Sequence, residues 1–324
     1  MALTGALAAS GPDGHVATMM IEAYRPDLRF ALALSALTLL PAAGAAQVQG
    51  TSFESEGVEL KAYFHHASDE APRAVAIYLQ GNPGGPLPAS SVVADELTSA
   101  NVAVLRFNYR GLWGNGGDFM LTNAIGDLNA AVDFLSAPET MERFGLPPSP
   151  ILVIGYSFGT AVGLIGARDD DRIAGVVSLA PCDHGYFGAE IPNPDSKIRD
   201  FLDETRESLF GENGVIDQDG AIFMDDLAEN AARYSFTRDA EALLGKKLLF
   251  IVGLDDQVCY AEDHFFPLYR ELKALSHPAL DVRVLETDHG FSGVGMDAVM
   301  RMAVEWVRGV FGTGAPGAPA QKAR

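Results

Sequence analysis

The chain has 324 residues, 48% hydrophobic and 20% charged, too apolar for a disordered protein and without a collagen-like period among its 34 glycines and 18 prolines. Its 23 basic and 43 acidic residues leave a net charge of −20. Such a surface repels phosphate backbones and anionic bilayers, so nucleic acid is excluded as an expected partner. Two cysteines build no disulfide-dense scaffold and fit no four-ligand zinc spacing. The length allows one large α/β domain or two small ones.

Residues 1–46 read as a leader. Arg25 and Arg29 precede the apolar run 30–40 (FALALSALTLL), and Pro41 with Ala43-Gly44-Ala45-Ala46 follows it. Basic, apolar, then small residues is the pattern of a secretory signal peptide, although Glu22 and Asp27 dilute the basic part. The run is shorter than the roughly 20 residues that cross a bilayer, so no membrane span is expected in the mature chain. The expected location is periplasmic or secreted if the leader is cleaved, and cytoplasmic otherwise.

Past Gln47, short apolar runs alternate with amphipathic stretches. Strands are expected at 58–65, 74–80, 102–108, 151–155, 173–179, 247–253 and 280–285, several nearly continuous in Val, Ile and Leu. Helices are expected at 90–100, 124–135, 160–167, 261–275 and 296–310. In the last, Val299, Met302, Ala303, Trp306 and Val310 share one face. This alternation predicts a doubly wound, mostly parallel α/β sheet over residues 47–311. The interval 183–241 breaks the rhythm, with 15 acidic and 5 basic residues and no strong strand. It reads as an inserted helical cap, with Phe201, Leu202 and Phe210 on an apolar side, whose negative rim favours neutral or cationic substrates. The tail 312–324 (GTGAPGAPAQKAR) is low-complexity and expected to lie outside the fold.

The strongest chemical signal is Gly155-Tyr156-Ser157-Phe158-Gly159, between the apolar run ILVI and the helix-forming TAVGLIGA. In that context G-x-S-x-G is a nucleophile elbow. Ser157 sits in a strained turn, Gly155 and Gly159 leave room for it, and a helix N-terminus faces developing negative charge. A serine hydroxyl needs a base, and the base an orienting carboxylate. Of the seven histidines, His15, His65 and His66 precede the elbow. His289, on the loop Thr287-Asp288-His289-Gly290-Phe291 after the last strand, is the favoured base. His184, beside Asp183, is its rival, and His264 and His277 read as surface residues. For the acid, Leu254-Asp255-Asp256-Gln257-Val258 follows a strand, where sites on open α/β sheets form. Asp256 is favoured over Asp255, with Asp183 a further option. Two backbone N–H groups are expected to hold an oxyanion, that of Phe158 and that of Asn82 in Gly81-Asn82-Pro83-Gly84-Gly85.

Together these pieces resemble the α/β-hydrolase superfamily, in its dienelactone-hydrolase-like and serine-aminopeptidase-like branch of serine hydrolases. The resemblance rests on GYSFG, GLDDQV, DHGF and the segment Leu105-Arg106-Phe107-Asn108-Tyr109-Arg110-Gly111, and it runs over residues 51–311. It implies Ser157 as nucleophile, Asp256 as acid and His289 as base. It further implies a cofactor-free enzyme that cleaves a small ester or amide through an acyl-enzyme. A carboxylic ester comes first; peptidase, thioesterase or acyltransferase chemistry on the same triad is the alternative, and a non-catalytic binding protein on this fold a remote one. The chain departs from the family at Gln80, where a histidine is usual, at Cys259-Tyr260 after the acid loop, and at Trp113 in the stretch 111–117. These departures bear on pocket shape.

Two weaker signals remain. Asp217, Asp219, Gly220 and Asp226 fall at calcium-loop offsets in 215–226, but Val215 occupies the first ligand position, so an acidic turn is expected. Cys182 and Cys259 each follow a strand; they read as free thiols, with a bridge between the two loops open to an exported chain. No Walker loop and no G-x-G-x-x-G after a strand is present, and neither metal nor cofactor is expected.

Overall fold

The structure, a computed structural model, describes residues 47–67, 71–88, 91–212 and 214–311. The expected leader (1–46) and tail (312–324) lie outside the described residues. Eight strands form one sheet: β1 (Val48–Ser55), β2 (Val58–His65), β3 (Ala74–Leu79), β4 (Val102–Phe107), β5 (Ile151–Tyr156), β6 (Ile173–Leu179), β7 (Lys247–Gly253) and β8 (Leu280–Leu285). Their order is β1-β2-β4-β3-β5-β6-β7-β8. The strands from β4 to β8 in that order pair in parallel, and β1 and β2 add antiparallel at one edge. β1 was not expected, because VQGTSFES lacks an apolar run. It is held by a hairpin whose turn residues Glu56 and Gly57 both take positive φ (46° and 83°), the geometry that matches strand twist.

Helices cover both faces of the sheet. In chain order they are α1 (Val92–Ser99), α2 (Leu121–Ser136), α3 (Pro138–Phe144), α4 (Phe158–Asp169), α5 (His184–Glu190), α6 (Lys197–Leu209), α7 (Gly220–Glu229), α8 (Ala231–Tyr234), α9 (Ala261–His264), α10 (Phe266–Ala274) and α11 (Met296–Phe311). Alternation along the buried strands feeds two cores. Leu152 and Ile154 of β5 pack with Leu97, Val299 and Trp306 under α1 and α11. Ile151 and Val153 pack on the other face with Leu128, Val132 and Val162 of α2 and α4. A strand buried on both sides in this way needs an unbroken apolar run, which is what the sequence offers.

The expected helix 261–275 is two helices, α9 and α10. Phe265 ends one and starts the other, and Pro267, in the first turn of α10, has no N–H to continue the α9 ladder. Between β6 and β7 the chain forms α5 to α8 and a 3-10 turn at Ala240–Leu243, and no strand among the described residues.

The region 183–241 is braced against the core by one carboxylate. Asp226 of α7 accepts from the backbone N–H groups of Leu121 (2.9 Å) and Thr122 (3.2 Å), and from the hydroxyls of Thr122 (2.6 Å) and Tyr234 (2.8 Å). The N-cap of α2, Met120, has no capping side chain, so Asp226 caps that helix from a distance. Asp219 accepts from the Ala221 N–H (2.9 Å) to cap α7. The calcium-like run is thus spent on two helix starts.

A second buried carboxylate anchors the segment after β4. The Arg110 guanidinium donates to Asp127 (2.7 Å), Glu56 (2.8 Å) and Ser55 (2.6 Å), and its backbone N–H donates to the same Asp127 (2.9 Å). It pins the β1–β2 turn to α2. The reading of Cys182 and Cys259 as free thiols is corrected. The loops after β6 and β7 run side by side, and the two residues form a disulfide with Cα atoms 5.3 Å apart.

Candidate active site

β5 runs into α4 through a turn at Ser157, whose φ of 52° and ψ of −116° put it in a region that non-glycine residues avoid. The turn is held by bonds on both sides: Ser157 N–H donates to the Leu179 carbonyl (2.9 Å), and the Thr160 hydroxyl donates to the Ser157 carbonyl (2.7 Å). A side chain on Gly155 would meet the Gly159 carbonyl across the turn. One on Gly159 would meet the Leu79 carbonyl of β3 instead, so the two glycines answer different neighbours. Phe158 is the first residue of α4, and its N–H has no acceptor inside the helix.

The acid and histidine loops meet at the ends of β7 and β8. Leu254 N–H donates to the Leu285 carbonyl (2.9 Å) and Asp255 N–H to the Thr287 carbonyl (3.0 Å). This pairing turns Asp255 to solvent and Asp256, 3% exposed, inward. Asp256 Oδ1 accepts from the N–H groups of Val258 (2.9 Å) and Cys259 (2.8 Å), and Oδ2 meets His289 Nδ1 at 2.7 Å. His289 Nε2 lies 2.8 Å from Ser157 Oγ. With Asp256 ionised, Nδ1 is the donor, which leaves the Nε2 lone pair of a neutral imidazole facing the serine hydroxyl. The Tyr156 hydroxyl donates to the His289 carbonyl (3.1 Å), a tie that sequence reasoning missed.

Asp183 and His184 do not join this line. Asp183 caps α5, accepting from Gly185 (2.9 Å), Tyr186 (3.3 Å) and Phe236 (3.0 Å) N–H groups, and burial pushes its carboxyl up to about 6. His184 donates from Nδ1 to the Cys182 carbonyl (2.9 Å), and burial lowers its imidazole to about 4. Its ring stands edge-on to Phe158, with centroids 5.1 Å apart. Phe158 also packs against Tyr109 and Phe119, and Phe223 of α7 stacks on Phe119. An aromatic cluster thereby seats the 183–241 region on the start of α4.

His264, expected at the surface, is 1% exposed, because α9 turns it under the loop after β6. Its Nδ1 accepts from the Asp183 N–H (2.9 Å), and burial lowers it to about 3. His264, Cys182 and Cys259 bring ligand-type atoms within 4.8 Å of one another. Both sulfurs are committed to the disulfide and Nδ1 to Asp183, so the set holds no free pair of donors for a metal.

The loop 81–85 passes over the serine: a Cβ on Gly81 would stand 3.3 Å from Ser157 Cβ. Two of the family departures fix this loop. Gln80 donates to Asn108 Oδ1 (2.8 Å) and accepts from Gly85 N–H (3.2 Å), and the Trp113 indole donates to the Pro83 carbonyl (2.9 Å). Asn82 follows Gly81 directly on this loop.

A sequence model of the alpha/beta hydrolase family matches residues 81–302. Quorum-quenching protein AidA of Acinetobacter baumannii is 22% identical over 151 residues; the match spans 45% of this chain and about half, 48%, of that relative. An esterase of Pyrococcus furiosus superposes with a TM-score of 0.58 at 19% identity, covering 83% of this chain and 92% of that one. A puromycin-hydrolyzing peptidase of Mycobacterium tuberculosis superposes with a TM-score of 0.62 at 17% identity, covering 87% of this chain and 43% of that one. An acylaminoacyl peptidase of Pyrococcus horikoshii does so with a TM-score of 0.60 at 18% identity, covering 85% and 43%. Among the described residues no helix is long and apolar enough to cross a membrane.

Proposed function

This chain belongs to the alpha/beta hydrolase family, and from that premise we propose that it is a serine hydrolase that cleaves a carboxylic ester. The observation that carries the reading is the unbroken line from Asp256 through His289 to Ser157, at 2.7 and 2.8 Å. Ser157 Oγ attacks the ester carbonyl as His289 Nε2 takes its proton. Asp256 holds the imidazole in the required tautomer and offsets the charge it gains. The oxyanion is held by the Phe158 N–H and the Asn82 N–H. His289 returns the proton to the leaving alcohol, and water then releases the acyl group by the same steps in reverse order.

Amide cleavage is the second reading, favoured by the two structurally similar proteins described as peptidases. The net charge of the 183–241 segment supports neutral or cationic substrates. The disulfide, with the basic–apolar–small pattern of residues 1–46, supports an exported enzyme.

A fluorophosphonate probe tests the reading. The folded wild type is expected to be labelled and Ser157→Ala to be silent. p-Nitrophenyl esters, one of them cationic, assayed beside aminoacyl anilides then rank the substrate classes. An unlabelled, folded wild type sinks the proposal.

A further inference from the structure

We propose that the Cys182–Cys259 disulfide is a redox-sensitive clamp on the catalytic acid, so that oxidation of the two thiols raises turnover. The proposal rests on the triad reading above. It comes from a closed circuit of bonds. Asp256 Oδ1 accepts from the Cys259 N–H (2.8 Å), and Cys259 is cross-linked to Cys182. The Cys182 N–H donates to Thr160 Oγ1 (3.1 Å), whose hydroxyl donates to the Ser157 carbonyl (2.7 Å). From Ser157 Oγ the circuit returns through His289 to Asp256 at 2.8 and 2.7 Å. Acid and nucleophile are therefore joined twice, once through the reacting imidazole and once through the cross-link.

The acid loop needs such a tie. Leu254 and Tyr260, which bracket it, are 48% and 44% exposed, and Asp255 and Gln257 also face solvent. Cys259 and Cys182 are each 2% exposed and fasten that loop to the neighbouring one. Cutting the S–S bond leaves the Cys259 N–H, one of two backbone donors to Oδ1, on an unfastened segment. A misplacement of about 1 Å in a catalytic group costs on the order of 100-fold in rate. Cys182, Cys259 and Thr160 are positioning residues in this scheme, since none touches the reacting atoms.

The switching step is thiol–disulfide exchange. The two cysteine thiols give up two protons and two electrons to an external disulfide oxidant, which leaves as two thiols; a dithiol reductant reverses the step. Burial of both sulfurs makes exchange slow, because the loop must open first. An exported chain would be clamped on reaching an oxidising compartment.

The experiment compares the oxidised enzyme with enzyme reduced by dithiothreitol, free thiols being titrated in each. Turnover of a p-nitrophenyl ester is measured well below both melting temperatures. Reduction is expected to lower kcat about 10- to 100-fold and leave KM unchanged. Cys182→Ala/Cys259→Ala is expected to match the reduced wild type and ignore dithiothreitol. In Thr160→Val, where the circuit is already cut, reduction should lower kcat by a smaller factor. Equal kcat in both redox states, or a change confined to KM or to the melting temperature, overturns the clamp. Fluorophosphonate labelling separates the two levels. Labelling with no redox effect removes the clamp and leaves the hydrolase; no labelling in either state removes both.

Discussion

At the scale of single residues, the site depends on which of several similar groups are already committed elsewhere. Asp183 and His184 share the local chemistry of Asp256 and His289, yet Asp183 accepts three backbone N–H groups and His184 spends Nδ1 on a carbonyl. Kinetics should separate the pairs. His289→Ala is expected to lower kcat/KM by on the order of 10⁴- to 10⁶-fold, whereas His184→Ala should cost far less and act mainly through packing against Phe158. A reversal of that order in steady-state ester hydrolysis would move the base to His184. The choice between Asp255 and Asp256 turns on one peptide unit. The Asp255 N–H is taken by the Thr287 carbonyl, which rotates the next residue inward. No pattern in GLDDQV states that bond, because its acceptor lies more than thirty residues away.

At the scale of elements, strands and helices with a strong period were legible and the rest were not, for reasons that differ by element. β6, β7 and β8 have the expected bounds, since β6 and β7 are buried runs of Val, Ile and Leu and β8 is bounded by clear breaks. β1 escaped because only Phe53 and Ser55 of its eight residues are buried. α3 escaped because it is a seven-residue helix started by Pro138 and stopped at Gly145, which takes a left-handed φ of 62°. The disulfide was read wrongly as two free thiols, because pairing depends on the spacing of two loops, which sequence does not contain. Buried polar ties between elements were likewise invisible. Asp127 looks like any helical aspartate, yet its side chain is fully buried against Arg110. Asp127→Ala removes two of the four bonds that hold Arg110, leaving Glu56 and Ser55, and urea unfolding should register a loss of about 1–3 kcal/mol. A loss below 1 kcal/mol would mean that Glu56 and Ser55 alone satisfy Arg110.

At the scale of the whole molecule, the buried imidazoles are expected to dominate the response to acid. Burial lowers His65 and His184 to about 4 and His264 to about 3, against an ordinary 6.5. Unfolded chains bind protons at these positions from pH 6.5 downward, and the folded protein does not. Stability is therefore fully present above pH 6.5 and falls as pH drops toward 4. Asp183 has the opposite sign: its carboxyl is raised from 3.8 to about 6, so its contribution is present below 3.8 and lost as pH rises through 6. His66 shifts the same way as these three imidazoles, and Asp127 the same way as Asp183. With four imidazoles against two carboxyls, the melting temperature should fall between pH 6.5 and 4. His264→Asn, whose Oδ1 takes the place of Nδ1 as acceptor for the Asp183 N–H, should flatten that slope. A slope unchanged by the substitution would put the acid sensitivity elsewhere.

Asp226 bears on how this scaffold could be re-engineered. It belongs to the segment inserted between β6 and β7, but its oxygens complete the first turn of α2, a helix of the core. The inserted segment and the core are thus not separable modules. A chimera that imports residues 184–239 from another enzyme would keep the first turn of α2 capped only if it supplied a carboxylate at that point. Without one, the graft would fray the start of α2, at the roughly 1 kcal/mol typical of a lost helix cap.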